Sequence, residues 1–367
     1  MEMTKTLFDV FKGKKILITG DTGFKGSWLA IWLLELGADV YGYSLPAKSN
    51  KDNYKITDLE KRITHKDGDI RDFKSLNDFF KTVSPDIAIH MAAQSLVIDS
   101  YHDPVATFDT NVMGTVNFFE AVRNCDSIKA AINVTSDKCY ENEEWLWGYR
   151  ENDKMGGKDP YSASKGCSEL VTNSFIQSFF QSNDTANVAS VRAGNVIGGG
   201  DWSENRIIPD FFRSLQNKTT LLLRNPTATR PWQFVLEPLN GYLTLAAHLF
   251  AAYGIHKELQ GGWNFGPEDG NNVSVSKLID EIIVSGVGGG YEIEKQQRVF
   301  KEASLLKLDI SKAKKLLNWK PYLSLHETIS FTAKGYTDET TSGTDIFDAR
   351  VQQIRKYINI TTNPIKI

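Results

Sequence analysis

The segment Lys14–Thr19 (KKILIT), followed at once by Gly20-Asp21-Thr22-Gly23-Phe24-Lys25-Gly26, constrains the fold of this chain more than any other. A short apolar strand runs into three spaced glycines and then opens an apolar helix over Gly26–Leu36, with Trp28 and Trp32 on it. Glycines in such a turn let the backbone approach a pyrophosphate, and the helix N-terminus favours its negative charge. The spacing is TGxxGxxG rather than GxGxxG, so the glycines alone are weak. Their agreement with the flanking strand and helix gives them force.

The same alternation continues downstream. Asp39–Tyr43, Thr64–Gly68, Ile87–His90, Ala130–Thr135 and Val188–Arg192 read as strands, with helices over Phe73–Lys81, Val105–Arg123 and Ser162–Phe180. This predicts an α/β fold: a Rossmann-type, doubly wound parallel sheet with a smaller C-terminal substrate-binding lobe. The sheet domain is expected over residues 1–193, with 233–253 returning to pack on it. The lobe is expected over 194–232 and 254–336. A polar linker, Thr337–Thr344, would begin the last unit, 337–367, and lead into a final helix.

At 367 residues, 41% hydrophobic and 24% charged, the chain has room for this arrangement, and its net charge of −3 offers no footprint for nucleic acid or an anionic membrane. The opening MEMTKTLFDVFKGKK has no apolar signal core. No apolar run reaches the roughly 20 residues of a membrane span, so a cytoplasmic location away from membranes is expected. Cys125, Cys139 and Cys167 are too few and too scattered for a disulfide framework or a zinc site, and no metal is expected.

Two motifs carry chemistry. Val134-Thr135-Ser136-Asp137-Lys138 ends the fifth strand with a hydroxyl, a carboxyl and an amine, at the edge where open α/β sheets bind ligands. Tyr161 and Lys165, four apart on a helix, share one face. A phenol with a pKa near ~10 is a poor base; a neighbouring ammonium and a nicotinamide cation would lower it by ~1–3 units. Ser136 would hold the substrate oxygen, and Asp137 and Lys138 would transfer protons. Asp69 in Gly68-Asp69-Ile70 is placed to accept from an adenine amino group, although a surface turn fits those residues equally well. The acid expected at the end of strand two is missing from Gly42-Tyr43-Ser44-Leu45, and Lys25 and Lys48 would tolerate a 2′-phosphate. NAD and NADP therefore both stay open on local grounds.

TGDTGFKGSWLA, HMAAQSLV, VTSDKCYENEEW, DPYSASKG, RAGNVIGGGDW, RNPTATRPWQFVLEPLNGYL and LKLDISKAKKLLNW together resemble the CDP-glucose 4,6-dehydratases. These are a branch of the NAD-dependent epimerase/dehydratase family of extended short-chain dehydrogenase/reductases, and the resemblance runs from about Phe11 to Trp319. It implies NAD, held by Gly20, Gly23, Phe24, Lys25, Gly26, Asp69, Ile70, Ala92 and Asn111 together with Tyr161 and Lys165. It implies CDP-glucose as substrate, contacted by Gln94, Ser136, Asn195, Arg206, Arg224 and Arg230. Ser136, Asp137, Lys138, Tyr161 and Lys165 would carry a dehydration with no net redox change, feeding deoxysugar biosynthesis. A homodimer would pack through helices around 105–123 and 162–180.

In the implied mechanism Tyr161 takes the C4 hydroxyl proton, Lys138 removes the C5 proton and Asp137 protonates the departing C6 hydroxyl. Asp137 must then be protonated and Lys138 neutral, demands that conflict if the two form a simple ion pair. Lys138 stands where the dTDP- and GDP-sugar dehydratases carry Glu. Asp21 stands where this branch often has His, Lys301-Glu302-Ala303 where it has His-Glu-Ala, and Asn205 where an Asp precedes Arg206; the last two bear on cytosine recognition. Asn111 is expected to be structural or cofactor-adjacent, His90 structural, and Trp145 and Trp147 to pack a loop over the site. The rival readings are a 4,6-dehydratase or 4-epimerase for another nucleotide sugar, and a non-catalytic NAD-sensing regulator. An epimerase needs no Asp137/Lys138 pair, and such regulators typically lose the Tyr161/Lys165 pair.

Overall fold

The structure, a computed structural model, describes residues 7–294 and 305–362. Seven parallel strands form the central sheet: β1 (Lys15–Thr19), β2 (Asp39–Ser44), β3 (Thr64–Asp67), β4 (Ile87–His90), β5 (Ala130–Val134), β6 (Asn187–Ala193) and β7 (Gly261–Phe265). Their order is β7-β6-β5-β4-β1-β2-β3. The order reverses between β1 and β4, so the crevice at their carboxyl ends is the place where such sheets bind ligands. Thr19 lies there, in register with Tyr43 on one side and His90 on the other.

Every residue of β4 and β5 is buried, because helices cover both faces and no solvent side demands polar residues. Alternate side chains of one strand enter opposite cores. Ile16 and Ile18 of β1 join the core built with α1 (Phe24–Glu35), while Leu17 between them joins α2 (Phe73–Val83) and α3 (Gly114–Arg123) on the other face. The second face also carries α4 (Pro160–Phe179). A third cluster lies apart, built from α5 (Ile207–Asn217), Leu221–Leu223, Val275–Ile282 and residues of the helix that follows Ser324. Helix α6 (Leu236–Ala251) packs on the sheet, with Leu239, Tyr242 and Leu243 in the α1-side core.

Two segments differ from the sequence reading. Gly261–Phe265, inside the stretch assigned to the lobe, pairs with β6 as the seventh sheet strand, Trp263 beside Val191. GGWNF carries no strand signal of its own; the exposed edge of β6 supplies its partner. Helix α7 (Leu325–Thr340) runs into the polar stretch read as a linker. A capping box, Ser324 with Glu327, starts this helix. Its last turn tucks the Thr337 hydroxyl onto the Ala333 carbonyl at 2.9 Å. Only residues 341–345 connect it to the final helix, α8 (Ile346–Thr362), which packs on α1 with Tyr357 edge-on to Trp32 at 5.7 Å.

Glu237 on α6 is 1% exposed and accepts the backbone N–H groups of Tyr322 at 3.0 Å and Leu323 at 2.9 Å. Burial pushes its carboxyl up to about 8, against the pull of those two donors. The folded chain thus holds a proton that the unfolded chain releases from about 4.5, so this group's stabilisation is full at low pH and fades as pH rises toward 8. Glu237→Gln is expected to flatten the fall in Tm between pH 5 and pH 8 (roughly the titration window) relative to the parent. Equal slopes in thermal melts across that range would contradict the assignment.

Candidate active site

The end of β1 is tied to the end of β4. Thr19 Oγ1 lies 2.7 Å from His90 Nδ1 and accepts the N–H groups of Met91 at 3.2 Å and Ala92 at 3.3 Å. His90 is a buried, neutral support stacked on Phe118 at 4.8 Å; burial, with the Lys165 charge, pushes it down to about 3. Gly20 has φ +80, and a Cβ there would stand 2.6 Å from the Ala92 nitrogen, so this turn admits only glycine. Gly23 forms the N-cap of α1 with no capping side chain, leaving the helix's first N–H groups uncapped. Lys25 sits on that first turn, its Nζ 5.9 Å from the Tyr242 ring. Burial first, then the charges of Lys165 and Arg206, push it down to about 8, with Asp137 opposing. A glycine turn, an uncapped helix N-terminus and an ammonium in the cleft fit a dinucleotide pyrophosphate.

At the other end of the crevice, Asp69 is held by Arg71, with Nη2–Oδ2 at 2.6 Å and Nε–Oδ1 at 3.0 Å, and that pairing lowers its pKa. Ile70 beside it is buried, and its carbonyl accepts from Asn117 Nδ2 at 2.9 Å. Asp21 is fully buried, one oxygen 2.7 Å from His65 Nδ1 and the other unpartnered. A Cβ on Gly42 would stand 2.2 Å from that carboxylate, so this strand position has to be glycine. His65 Nε2 in turn lies 3.1 Å from Asp67. Burial works against charge on His65, but the two carboxylates outweigh it and raise its pKa. Register sets Asp67 beside Ser44. The carboxylate missing from the end of β2 is therefore present one strand over, next to a cavity of about 460 Å³ lined by Thr22, Ala47, His65 and Asp67. Only strand pairing reveals that neighbour.

Two of the candidate residues, Asn111 and Gln94, brace the loop after β4. Asn111 donates to the Gln94 carbonyl at 3.0 Å and to Ser164 Oγ at 2.9 Å, while its oxygen accepts the Gln94 N–H at 2.9 Å. Both amide protons hold the loop after β4 against α4. The Gln94 amide donates to Leu96 O at 3.0 Å and Thr107 Oγ1 at 2.9 Å, and its oxygen accepts the Leu96 N–H, closing that loop internally. Ala92 keeps a place at the cleft, against Gly20.

The reaction centre is assembled by two capped turns. Asp159 caps α4, accepting the Ser162 N–H at 2.9 Å, with Pro160 at the first helical position. That start places Tyr161 in the first turn and Lys165 one turn on. Ser136 caps the turn Asp137–Cys139, accepting the Lys138 N–H at 3.2 Å and donating to Asp137 Oδ1 at 3.0 Å. The Tyr161 phenol also meets Ser136. Asp137 is 4% exposed; burial raises its pKa, outweighing the charges of Lys138 and Arg230 and the Ser136 hydrogen bond. Lys138 Nζ makes no hydrogen bond among the described residues.

The expected lowering of Tyr161 by Lys165 is absent from the protein's own field. Burial pushes the phenol up to about 12, against the Ser136 hydrogen bond. Burial likewise pushes Lys165 down to about 8, against the Glu169 charge. Desolvation is the largest cause of both shifts, and neither group is among the charges that shift the other.

Glu169, one turn beyond Lys165, was not legible as part of the site. It forms a buried fork with Arg192, Nε–Oε1 and Nη2–Oε2 both at 2.8 Å, and accepts from Ser190 at 2.6 Å and from Thr135. Arg192 also reaches Tyr140, which donates to Asn264 Oδ1 at 2.8 Å. This network braces the segment from Thr135 to Tyr140. Its only sequence signal was an arginine inside the fully buried strand β6.

Of the other substrate candidates, Arg206 pairs with Asp201 at 3.0 Å and lies near Tyr161. Arg230 is buried near Asp137. Asn195 is partly buried, its carbonyl accepting the Gln233 N–H at 3.1 Å. Arg224 is exposed, donating to Asn205 Oδ1 at 3.1 Å, so Asn205 retains an acceptor where an Asp was expected. Lys301-Glu302-Ala303 lies outside the described residues. Trp145 stacks on Tyr149 at 5.1 Å, and the exposed Trp147 borders a cavity of about 320 Å³ with Gly194 and Pro231.

Residues 17–332 match the family model described as GDP-mannose 4,6 dehydratase. The chain is 45% identical over 357 residues to CDP-glucose 4,6-dehydratase of Salmonella typhimurium, covering 96% of this chain and 98% of that protein. It is 30% identical over 217 residues to dTDP-D-glucose 4,6-dehydratase of Dictyostelium discoideum, 56% of this chain and 48% of that one. Among solved structures, dTDP-glucose 4,6-dehydratase from Streptomyces venezuelae with NAD and TYD bound superposes with a TM-score of 0.74 at 23% identity, covering 88% of this chain and 97% of that one.

Proposed function

The chain belongs to the GDP-mannose 4,6-dehydratase family, and on that premise we propose that it is an NAD-dependent CDP-glucose 4,6-dehydratase. It converts CDP-D-glucose to CDP-4-dehydro-6-deoxy-D-glucose and water. The observation that carries this reading is the buried Asp137, bonded to Ser136 and flanked by Lys138, beside the Tyr161 phenol. The 45% identity to the Salmonella CDP-glucose enzyme along nearly the whole chain supports the cytidine nucleotide.

The glycine turn, with Lys25 at the pyrophosphate, would hold NAD, which when bound would accept hydride from C4 and return it to C6. Ser136 and Tyr161 hold the C4 oxygen, and Tyr161 takes the hydroxyl proton. The Lys165 ammonium favours the resulting phenolate. A C4 ketone acidifies the C5 proton, which Lys138 removes. Asp137 gives its proton to the C6 oxygen, the C6–O bond breaks to release water, and as hydride reaches C6 the protonated Lys138 returns a proton to C5. Burial favours the protonated form of Asp137 against the neighbouring charges of Lys138 and Arg230, the direction an acid at this position needs. Arg206 and Arg230 face the nucleotide diphosphate, for which their planar forks are suited, with Asn195 beside them and Arg224 at the exposed mouth.

Incubation with NAD and a panel of nucleotide-glucoses tests the assignment. A product lighter by one water, from CDP-glucose in preference to the others, is the expected result. An isobaric product would instead mark an epimerase.

The chain is further expected to be a cytoplasmic homodimer; no described helix is long and apolar enough to cross a membrane. Val105, Met113, Leu170 and Phe179 leave an apolar patch exposed around the short helix Pro104–Phe108 and α4. Light scattering should give about twice 41.2 kDa, falling to the single-chain mass in Leu170→Asp. A single-chain mass for the parent would exclude the dimer.

A further inference from the structure

Helix α8 lies beyond the residues that match the family model, yet its Arg350 is fully buried. An arginine without solvent needs partners for its donors, and those found here lead back toward the active site. Nε donates to Asn53 Oδ1 at 2.9 Å, Nη1 to the Gly335 carbonyl at 3.2 Å and Nη2 to Glu339. Its guanidinium also stands 5.1 Å from the Trp28 ring. The other oxygen of Glu339 accepts the Trp202 indole N–H at 2.8 Å.

Trp202 belongs to the loop Gly198–Arg206, whose residues Gly199–Trp202 rest on this cluster. A Cβ on Gly199 would stand 2.7 Å from the Gly335 backbone and 2.9 Å from Arg350 Nη1. Gly200, at φ +82, presses on Asn53. Trp28 Nε1 donates to the Gly199 carbonyl at 2.9 Å, and the Tyr336 hydroxyl to the Asp201 carbonyl at 2.6 Å. Asp201, so fixed, holds Arg206 at 3.0 Å.

We propose that Arg350 is a positioning residue for nucleotide-sugar binding: through Glu339 and Trp202 it fixes the loop that presents Arg206 to the substrate diphosphate. The C-terminal helix is then a clamp on the substrate loop. This rests on the reading of Arg206 as a substrate contact.

Three variants test it. Arg206→Ala is the reference. Trp202→Phe cuts the link from Glu339 to the loop and keeps the ring. Arg350→Met with Glu339→Gln removes both buried charges together, so neither is left unpaired. Both loop variants are expected to raise KM for CDP-glucose roughly five-fold or more, the worth of one lost hydrogen bond, while the NAD dissociation constant is unchanged. Amide hydrogen exchange should accelerate over 198–206 and not in the central sheet. If the double variant fails to fold, Trp202→Phe carries the test. A raised KM in Arg206→Ala, with KM and loop exchange unmoved in the loop variants, overturns the clamp alone. An unchanged KM in Arg206→Ala overturns the reading of Arg206 and the clamp with it.

Discussion

Lys138→Ala is expected to oxidise CDP-glucose at C4 and then stall. The side chain is partly exposed and its amine makes no hydrogen bond among the described residues, so truncation breaks no hydrogen bond there. Tyr161, Ser136 and Lys165 are untouched and still serve the oxidation. What is lost is the base for C5, and a positioned base typically contributes ~10²–10⁴ in rate. Overall turnover should fall by about 10³, at the middle of that range. Borohydride trapping should detect the C4 ketone, while the C5 proton no longer exchanges with deuterated solvent. Unchanged exchange and turnover would remove Lys138 from the mechanism.

Tyr161→Phe should fail one step earlier. The ring keeps its shape in a buried position, so the fold and CDP-glucose binding are expected to persist, with less than about 1.5 kcal/mol lost in stability. C4 oxidation should drop by ~10³-fold or more, with no trapped ketone. The pH profile separates this from a structural defect. With the phenol pushed up to about 12 in the protein's own field, activity of the parent should climb with pH as phenolate becomes accessible. Lys165, down at about 8, loses its charge above that pH and with it the support for the phenolate, which caps the climb. The residual rate of Tyr161→Phe should show no such climb. A profile in the variant that rises like the parent's would assign the base elsewhere.

The chemical half of the site was readable because its signals are local. Tyr161 and Lys165 are a helix-turn apart wherever the helix sits, and Ser136-Asp137-Lys138 ends a strand whose apolar run is unmistakable. Strands β1, β4 and β5 were legible for the same reason: burial on both faces leaves continuous apolar runs. What depends on pairing was not legible. β7 is a strand only because β6 offers an edge, and Asp67 reaches the end of β2 only through register with Ser44. Gln94 and Asn111 show why: a polar residue near a cleft looks the same in sequence whether it faces a ligand or braces a loop. Glu169 and Arg192 escaped because a buried ion pair joins a helix to a strand that are distant in sequence. Arg350 is the extreme case, with Asn53 as a partner from the other end of the chain.

Transient oxidation at C4 coupled to water loss across C5 and C6 is the central claim, and an isotope tracks it directly. CDP-glucose carrying deuterium at C4 should yield the 4-keto-6-deoxy product with that deuterium at C6, and, in deuterated water, a second label from solvent at C5. Deuterium retained at C4 in a product that has lost no water would contradict the account and leave an epimerase in its place.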